Sequence, residues 1–430
     1  MKEEEKIQMR KRNMRLFPTY KKLAWDYIFF YTINFLFLTQ VKGINPANIV
    51  LIESFYYLFT TIAQIPSAFI IEFLGRKNSI IFANILNCSY ILMIIFSNSI
   101  FDLIIAKCLS SLSFAIKESA EPSLLNESIP PTANKSQIFA KINEKGMSGY
   151  YMISGISTIM AGFLYEINPY TPLILSFVIL LIATGISTLF IEPVTNRKKK
   201  RINLNQIQEI NKSFKFVLKS ERIKALILFS VFMTAIIGIL ETYEISLLED
   251  LNISANYLGI LFAILGIISG LGAKKQEKFH EKFRNKSLTM IGLMMAGSCI
   301  ISGIAGILTG KYQILIVVII LSYAIKYLTE GIYYPLIEKY LSNFTNKDID
   351  TKIFVVKNFI KGFPSLFFGI IASFLLGRIE TAYCMIVIGT IFFALIILVS
   401  KYMKTRVGLK PEEYPKEEVK YDRLKELNKI

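Results

Sequence analysis

Apolar runs about long enough to cross a bilayer recur along the whole of this 430-residue chain, and that repetition constrains the fold more than any single motif. A hydrocarbon core about 30 Å thick takes roughly 20 residues of helix per crossing. In the first half such runs lie near 23–40, 47–71, 79–97, 100–120, 146–165 and 172–192. In the second half they lie near 223–246, 255–273, 287–308, 312–341, 353–376 and 381–402. Lipid offers no hydrogen bonds to the backbone, so each run is expected to be helical. The expected fold class is an all-α integral membrane protein with twelve transmembrane helices in two six-helix bundles. At 53% hydrophobic residues the chain exceeds the roughly 45–50% usual for soluble domains.

The longest internal polar stretch separates the sixth run from the seventh. The expected organisation is an amino-terminal segment 1–22, a first bundle 23–192, a central linker 193–222, a second bundle 223–402 and a tail 403–430. The two charged ends are expected to lie as interfacial helices or as disordered segments.

The formal charge of +17 invites a nucleic-acid reading, but the bases are not interleaved with stacking aromatics on a polar scaffold, and no nucleic-acid partner is expected. They concentrate instead in alternate loops, whereas the intervening loops hold only Lys42, Lys311 and Arg378. Basic residues resist translocation in short loops, so this asymmetry predicts a multi-pass plasma-membrane protein with both termini cytoplasmic. The run "RKKKR" at 197–201 is also a candidate for anionic lipid head groups.

Several classes are disfavoured. Cys88, Cys108, Cys299 and Cys384 fall inside apolar segments without paired spacing and read as small buried hydrophobes. His280, the single histidine, cannot build a zinc site alone. No glycine-lysine nucleotide loop and no nucleophile with a base at workable spacing occurs, so neither an enzyme nor a cofactor or metal is expected. The first residues lack a short apolar core followed by small cleavage-site residues and are not expected to be a signal peptide.

The segment "AFIIEFLGRK", residues 68–77, interrupts the greasy pattern after the second run. It resembles the loop between spans two and three of the major facilitator superfamily, a pattern of glycine, three residues, an acid, a base, one residue, then glycine-arginine and a second base. Ala68 stands at the first glycine, Glu72 at the acid and Phe73 at the first base, while Gly75, Arg76 and Lys77 match. The resemblance implies two pseudo-symmetric bundles, with Glu72, Gly75, Arg76 and Lys77 forming part of a cytoplasmic gate. A second stretch, "ESAEPSLLNESI" at 118–129, resembles the end of span four in a bacterial branch of the same superfamily and adds Glu127 to that gate. "AGFLYEINPYTPLILS", "FIEPV" and "YYPLIEKYLSN" resemble later pieces of the same branch, whose arginine-alanine-threonine stretch before span eleven is absent from "NKDIDTKIFVVK".

Charges inside the spans are costly and mark partners or water-filled cavities. Asp26, Glu53, Lys117, Glu118, Glu121, Glu241, Glu244, Lys326, Glu330, Lys357 and Lys361 form this set. Lys117 with Glu121, and Lys326 with Glu330, have the spacing of pairs on one helix face. Glu241 and Glu244 have no base beside them in the sequence. Spans one, four, seven and ten line the central cavity in the family, so the resemblance places Asp26, Glu118, Glu241, Glu244 and Lys326 near the substrate path. Asp26, beside Trp25, reads alternatively as an interfacial anchor near the cytoplasmic end. Desolvation disfavours a charged carboxylate, so such a group can bind and release a proton near neutrality. One of Glu118, Glu241 and Glu244 is the expected coupling group.

The expected function is secondary active transport of a small molecule by a monomer in the bilayer, with protons as coupling ion and export of an amphipathic compound or drug as the direction. Proton-coupled uptake of a nutrient is the alternative, and a non-transporting scaffold or sensor the more distant one. Span five has glycines but lacks the proline of the family's drug antiporters, which takes weight from export.

Overall fold

The computed structural model describes residues 3–130, 135–193, 221–283, 286–343 and 347–407. Among these residues every regular element is helical. The first seven helices are α1 (Glu3–Ala24), α2 (Tyr31–Leu36), α3 (Pro46–Leu74), α4 (Arg76–Phe96), α5 (Ile100–Ser128), α6 (Lys135–Ile167) and α7 (Thr171–Thr188). A π-helical turn, Phe37–Val41, extends α2. The next seven are α8 (Glu221–Asp250), α9 (Ala255–Lys274), α10 (Gln276–Phe283), α11 (Ser287–Thr309), α12 (Ile316–Asn343), α13 (Lys347–Leu376) and α14 (Thr381–Val407). Counting α1 with α2 as one crossing and α10 as a polar connector, the described residues supply the twelve expected spans.

Among the described residues, eight spans are long and apolar enough to cross a membrane by length and composition alone. Two of the others are interrupted, the first span by a break after Ala24 and α5 by Lys107, Lys117, Glu118 and Glu121. Local chemistry sets several ends. Ser99 caps α5 by accepting the amide of Asp102, whose carboxylate accepts the Ser99 amide in return. Pro172 lies in the first turn of α7, where a missing N–H costs nothing. Large apolar side chains stand outward, Phe73 and Ile167 at 89% and 81% exposed. Lipid tails are as apolar as leucine, so there is little drive to bury them.

The chain falls into two compact units. The first comprises Met1–Asn45, Phe55–Arg201 and Ile253–Ala263, and the second Pro46–Ser54, Ile202–Asn252 and Ile264–Ile430. The core of the first unit joins Phe17, Tyr20 and Ala24 of α1 to Ile80 and Ala83 of α4, Ile116, Ala120 and Leu124 of α5, and Ala183 of α7. This corrects the expectation of an interfacial or disordered amino-terminal end. Asn13, Phe17, Tyr20 and Lys21 are buried, and Asn13 donates to Ser128 Oγ at 2.9 Å and to Ile191 O at 2.8 Å. The charges of 1–22 disguised a helix whose apolar face is a working part of the bundle. The cysteines divide as well: Cys88, Cys299 and Cys384 are buried, but Cys108 is exposed. The polybasic run 197–201 and the tail beyond residue 407 lie outside the described residues.

Candidate functional site

Three clusters of charge meet inside the units. The first stands at one end of the first unit, where α3 gives way to α4. Gly75 has φ 79° and ψ 174°, a backbone conformation open to glycine and strained for other residues. That turn delivers the Arg76 and Lys77 amides to the carboxylate of Glu192, just past α7, at 2.8 and 2.7 Å. The carboxylate thereby caps the positive end of α4, and a Cβ on Gly75 would come within 2.9 Å of Glu192 Oε1. The Arg76 side chain turns the other way, to Ser123 Oγ at 2.9 Å and Glu127 Oε1 at 2.5 Å. Of the expected gate residues, Gly75, Arg76, Lys77 and Glu127 therefore come together, and Glu72 stands exposed. Glu192 is not among the residues expected for the gate, although it lies in "FIEPV", one of the stretches that resemble later pieces of the same branch.

The second cluster surrounds the break in the first span. Residues 25–30, "WDYIFF", leave the helix, with Phe29 at φ 66°. A bulky residue there stores on the order of 1–3 kcal/mol of strain. Carbonyls freed by the break find side chains: Lys117 Nζ donates to Ala24 O, and Ser176 Oγ to Ile28 O. Glu121, fully buried, accepts from Lys21 Nζ and from Tyr20 Oη, with Lys117 Nζ 3.9 Å away. Asp26 sits within the break, where its Oδ1 accepts the Tyr31 hydroxyl at 2.6 Å and the Tyr27 amide at 2.9 Å. The Tyr27 hydroxyl meets Asn87 in mid-α4 and Ser110 in α5, both at 2.8 Å. Asp26 is therefore about halfway along the bundle, which corrects the reading of it as an anchor near the cytoplasmic end. The 22 helical residues of α1 that precede it add about 33 Å.

The third cluster belongs to the second unit. Lys326 is buried in α12 with its ammonium 3.5 Å from Glu244 in α8 and 3.0 Å from Glu330 one turn on. It also lies over the Tyr327 ring at 4.2 Å. Glu244, which has no base beside it in the sequence, thus receives one from another helix. Glu241 is exposed, while its charge and that of Lys326 still act on each other. Glu118 of the first unit is exposed too, with Gln64 Nε2 at 3.4 Å.

The second and third clusters share a sequence signal that the spacing of single pairs did not reveal. "SFAIKESAE" at 113–121 and "SYAIKYLTE" at 322–330 repeat serine, aromatic, alanine, isoleucine, lysine and, four residues later, glutamate. Each lysine reaches its own helix's glutamate and one more helix, α1 in the first unit and α8 in the second. The third charge of each cluster has opposite sign: Lys21, paired with Glu121, in one and Glu244, paired with Lys326, in the other.

The major facilitator superfamily model matches residues 24–327. Among curated proteins none matches in sequence. Among solved structures, the nucleoside transporter NupG superposes with a TM-score of 0.66 at 12% identity, over 94% of this chain and 99% of that one. A D-xylose-proton symporter gives 0.63 at 14% identity over 92% and 97%. The xylose transporter XylE from E. coli, in an inward-open conformation, gives 0.61 at 12% identity over 96% and 98%. At such identities the likeness is one of fold.

Proposed function

The chain belongs to the Major Facilitator Superfamily, and from that premise we propose that it is a proton-coupled transporter of a small molecule working by alternating access. One observation carries the coupling. Among the described residues the second unit brings Glu244 and Glu330 to the ammonium of Lys326, and the exposed Glu241, one turn from Glu244, shares the electrostatic field of that lysine. Such a group can lose or gain one proton without stranding the buried lysine, since another carboxylate remains to pair with it. The Arg76–Glu127 pair and the Glu192 cap serve as the latch of the cytoplasmic gate, with both termini on the same side.

Two directions have support. Export of an amphipathic compound fits the exposed rings of Tyr31 and Tyr151. Uptake with a proton fits the printed description of the D-xylose-proton symporter at least as well. Liposomes bearing the purified protein and a trapped pH dye decide between them across a panel of sugars, nucleosides, amines and acids. For symport, a transported solute added outside acidifies the lumen; for exchange, it makes the lumen alkaline. Solute entry with no pH change would refute proton coupling.

A further inference from the structure

At the end of the first unit remote from Gly75 lies a cavity of about 240 Å³, lined in part by Lys42, Ser97, Asn98, Ser99 and Tyr170. Three loops meet there, 41–45, 97–99 and 168–170, and Lys42 is the single charged residue in them. The π-helical turn Phe37–Val41 delivers that lysine, whose amide donates back to Phe37 O at 3.1 Å, and Gly43 at φ 64° turns the chain directly after it. Such π-helical turns are frequent at functional sites. The ammonium donates to Ile95 O at 2.6 Å and to Ser97 O at 3.0 Å, which leaves its third N–H without an acceptor among the described residues. Tyr170 is held by its ring, edge to face with Phe37 at 5.2 Å. Asp102, the acid closest in sequence, does not line the cavity; its Oδ2 accepts the amides of Asn98 and Ser99, both at 2.9 Å.

Position and surroundings suit a lipid. From Arg76, α4 runs 21 residues, about 30 Å, so its far end at Ser97 reaches the head-group layer opposite the latch. Phe96 and Phe101, on either side of the 97–99 loop, are 71% and 77% exposed. Leu92 and Ile105, four residues further along each helix, are exposed as well, so an apolar stripe begins beside the cavity and descends into the hydrocarbon. We propose that this cavity seats the phosphodiester of an anionic membrane lipid, with Lys42 as its counter-ion and the acyl chains running along Phe96 and Leu92 and along Phe101 and Ile105. The chemistry recognised is a phosphate ester, and the apolar stripe assigns it to a lipid instead of a free organophosphate. The Lys42 ammonium supplies a charge-assisted donor, and the Asn98 amide and Ser99 hydroxyl supply neutral ones. Burial lowers the pKa of the Lys42 ammonium, a cost that an anion beside it offsets. The site is separate from the clusters at Asp26 and Lys326 and from the latch, and it does not rest on the transport reading.

Photo-crosslinking of the full-length protein in phosphatidylcholine vesicles tests the assignment. The probe is phosphatidylglycerol carrying a diazirine on the acyl carbons next to the glycerol, and mass spectrometry reads which residues it labels. Labelling within 92–105 should exceed that by the matching phosphatidylcholine probe about fivefold, the effect expected of one basic residue at the membrane surface. Lys42→Met should remove the difference, and Lys42→Arg should keep it. Because Lys42 also ties down the last carbonyls of α4, Lys42→Met can loosen that helix end. Asn98→Trp, which fills the cavity and leaves the ammonium in place, should abolish the difference too and keeps the test decisive where Lys42→Met does not fold. Excess glycerophosphoglycerol, the same head group without acyl chains, should leave the labelling unchanged. The proposal is overturned if the two lipids label 92–105 equally, if folded Lys42→Met and Asn98→Trp label like the parent, or if glycerophosphoglycerol displaces the lipid and so identifies a site for a free organophosphate.

Discussion

Gly75 and Glu192 show how a single backbone angle organises one end of the molecule. Because φ is 79° and the carboxylate lies where a Cβ would be, Gly75→Ala should cost more stability than Glu192→Gln, which keeps the shape and gives up the charge. Thermal unfolding of the two variants checks the order, with about 1 kcal/mol expected for the glutamine. Arg76→Ala should lower transport while membrane insertion stays intact, and unchanged transport would count against a latch. Lys326→Met leaves Glu244 and Glu330 buried without their base, a change worth about 3–5 kcal/mol. Adding Glu244→Gln to Lys326→Met should recover part of that loss, and strictly additive effects would mean that the two residues are not coupled. The latch was half legible in the sequence. Arg76 and Glu127 lie in two motifs that carry the family resemblance, whereas Glu192 reaches Arg76 across 116 residues with no pattern linking them.

At the scale of elements, the first span is where sequence and structure part company. Hydropathy placed its start at 23, yet the helix begins by Glu3, because a stripe of Phe17, Tyr20 and Ala24 is enough to bury a face otherwise crowded with charge. The break at 25–30 was illegible for the opposite reason. "WDYIFF" contains neither glycine nor proline, and the interruption is maintained by Lys117 and Ser176 reaching in from α5 and α7. Changing Phe29 probes this directly. Phe29→Val places a β-branched residue at positive φ and should melt earlier than the parent, while Phe29→Gly relieves the backbone and should melt later than the valine variant. Most of the remaining spans contain the apolar runs expected of them, since for them burial and lipid contact demand the same residue types.

For the whole molecule, twelve spans and the family were legible from run length, charge asymmetry and the loop after span two. The charge clusters were legible only as a list of costly residues. Pairing across helices has no sequence period, and the shared serine-to-glutamate repeat becomes informative once both copies are seen to hold a lysine between two helices. Transport measurements belong at this scale. Glu118, Glu241 and Glu244 changed singly to Gln should uncouple solute movement from the pH gradient in at least one case, most strongly at Glu241 or Glu244, which share Lys326. Three fully coupled variants would remove the assignment. Cysteines placed at Lys42 and Lys141 should label from opposite sides with a membrane-impermeant thiol reagent, Lys42 from outside.

The buried triad of Lys21, Lys117 and Glu121 also bears on how the protein is made. Lys21 meets Glu121 across 100 residues, so while the ribosome is still producing the intervening spans this ammonium has no counter-charge in the lipid. An unpaired lysine at mid-helix raises the insertion free energy by about 2.5–3.5 kcal/mol. At about 5–20 residues per second, the first segment waits about 5–20 s for its partner to emerge. During that interval it has to be sheltered by the insertion machinery or held at the interface, and it enters the bilayer for good together with the fourth.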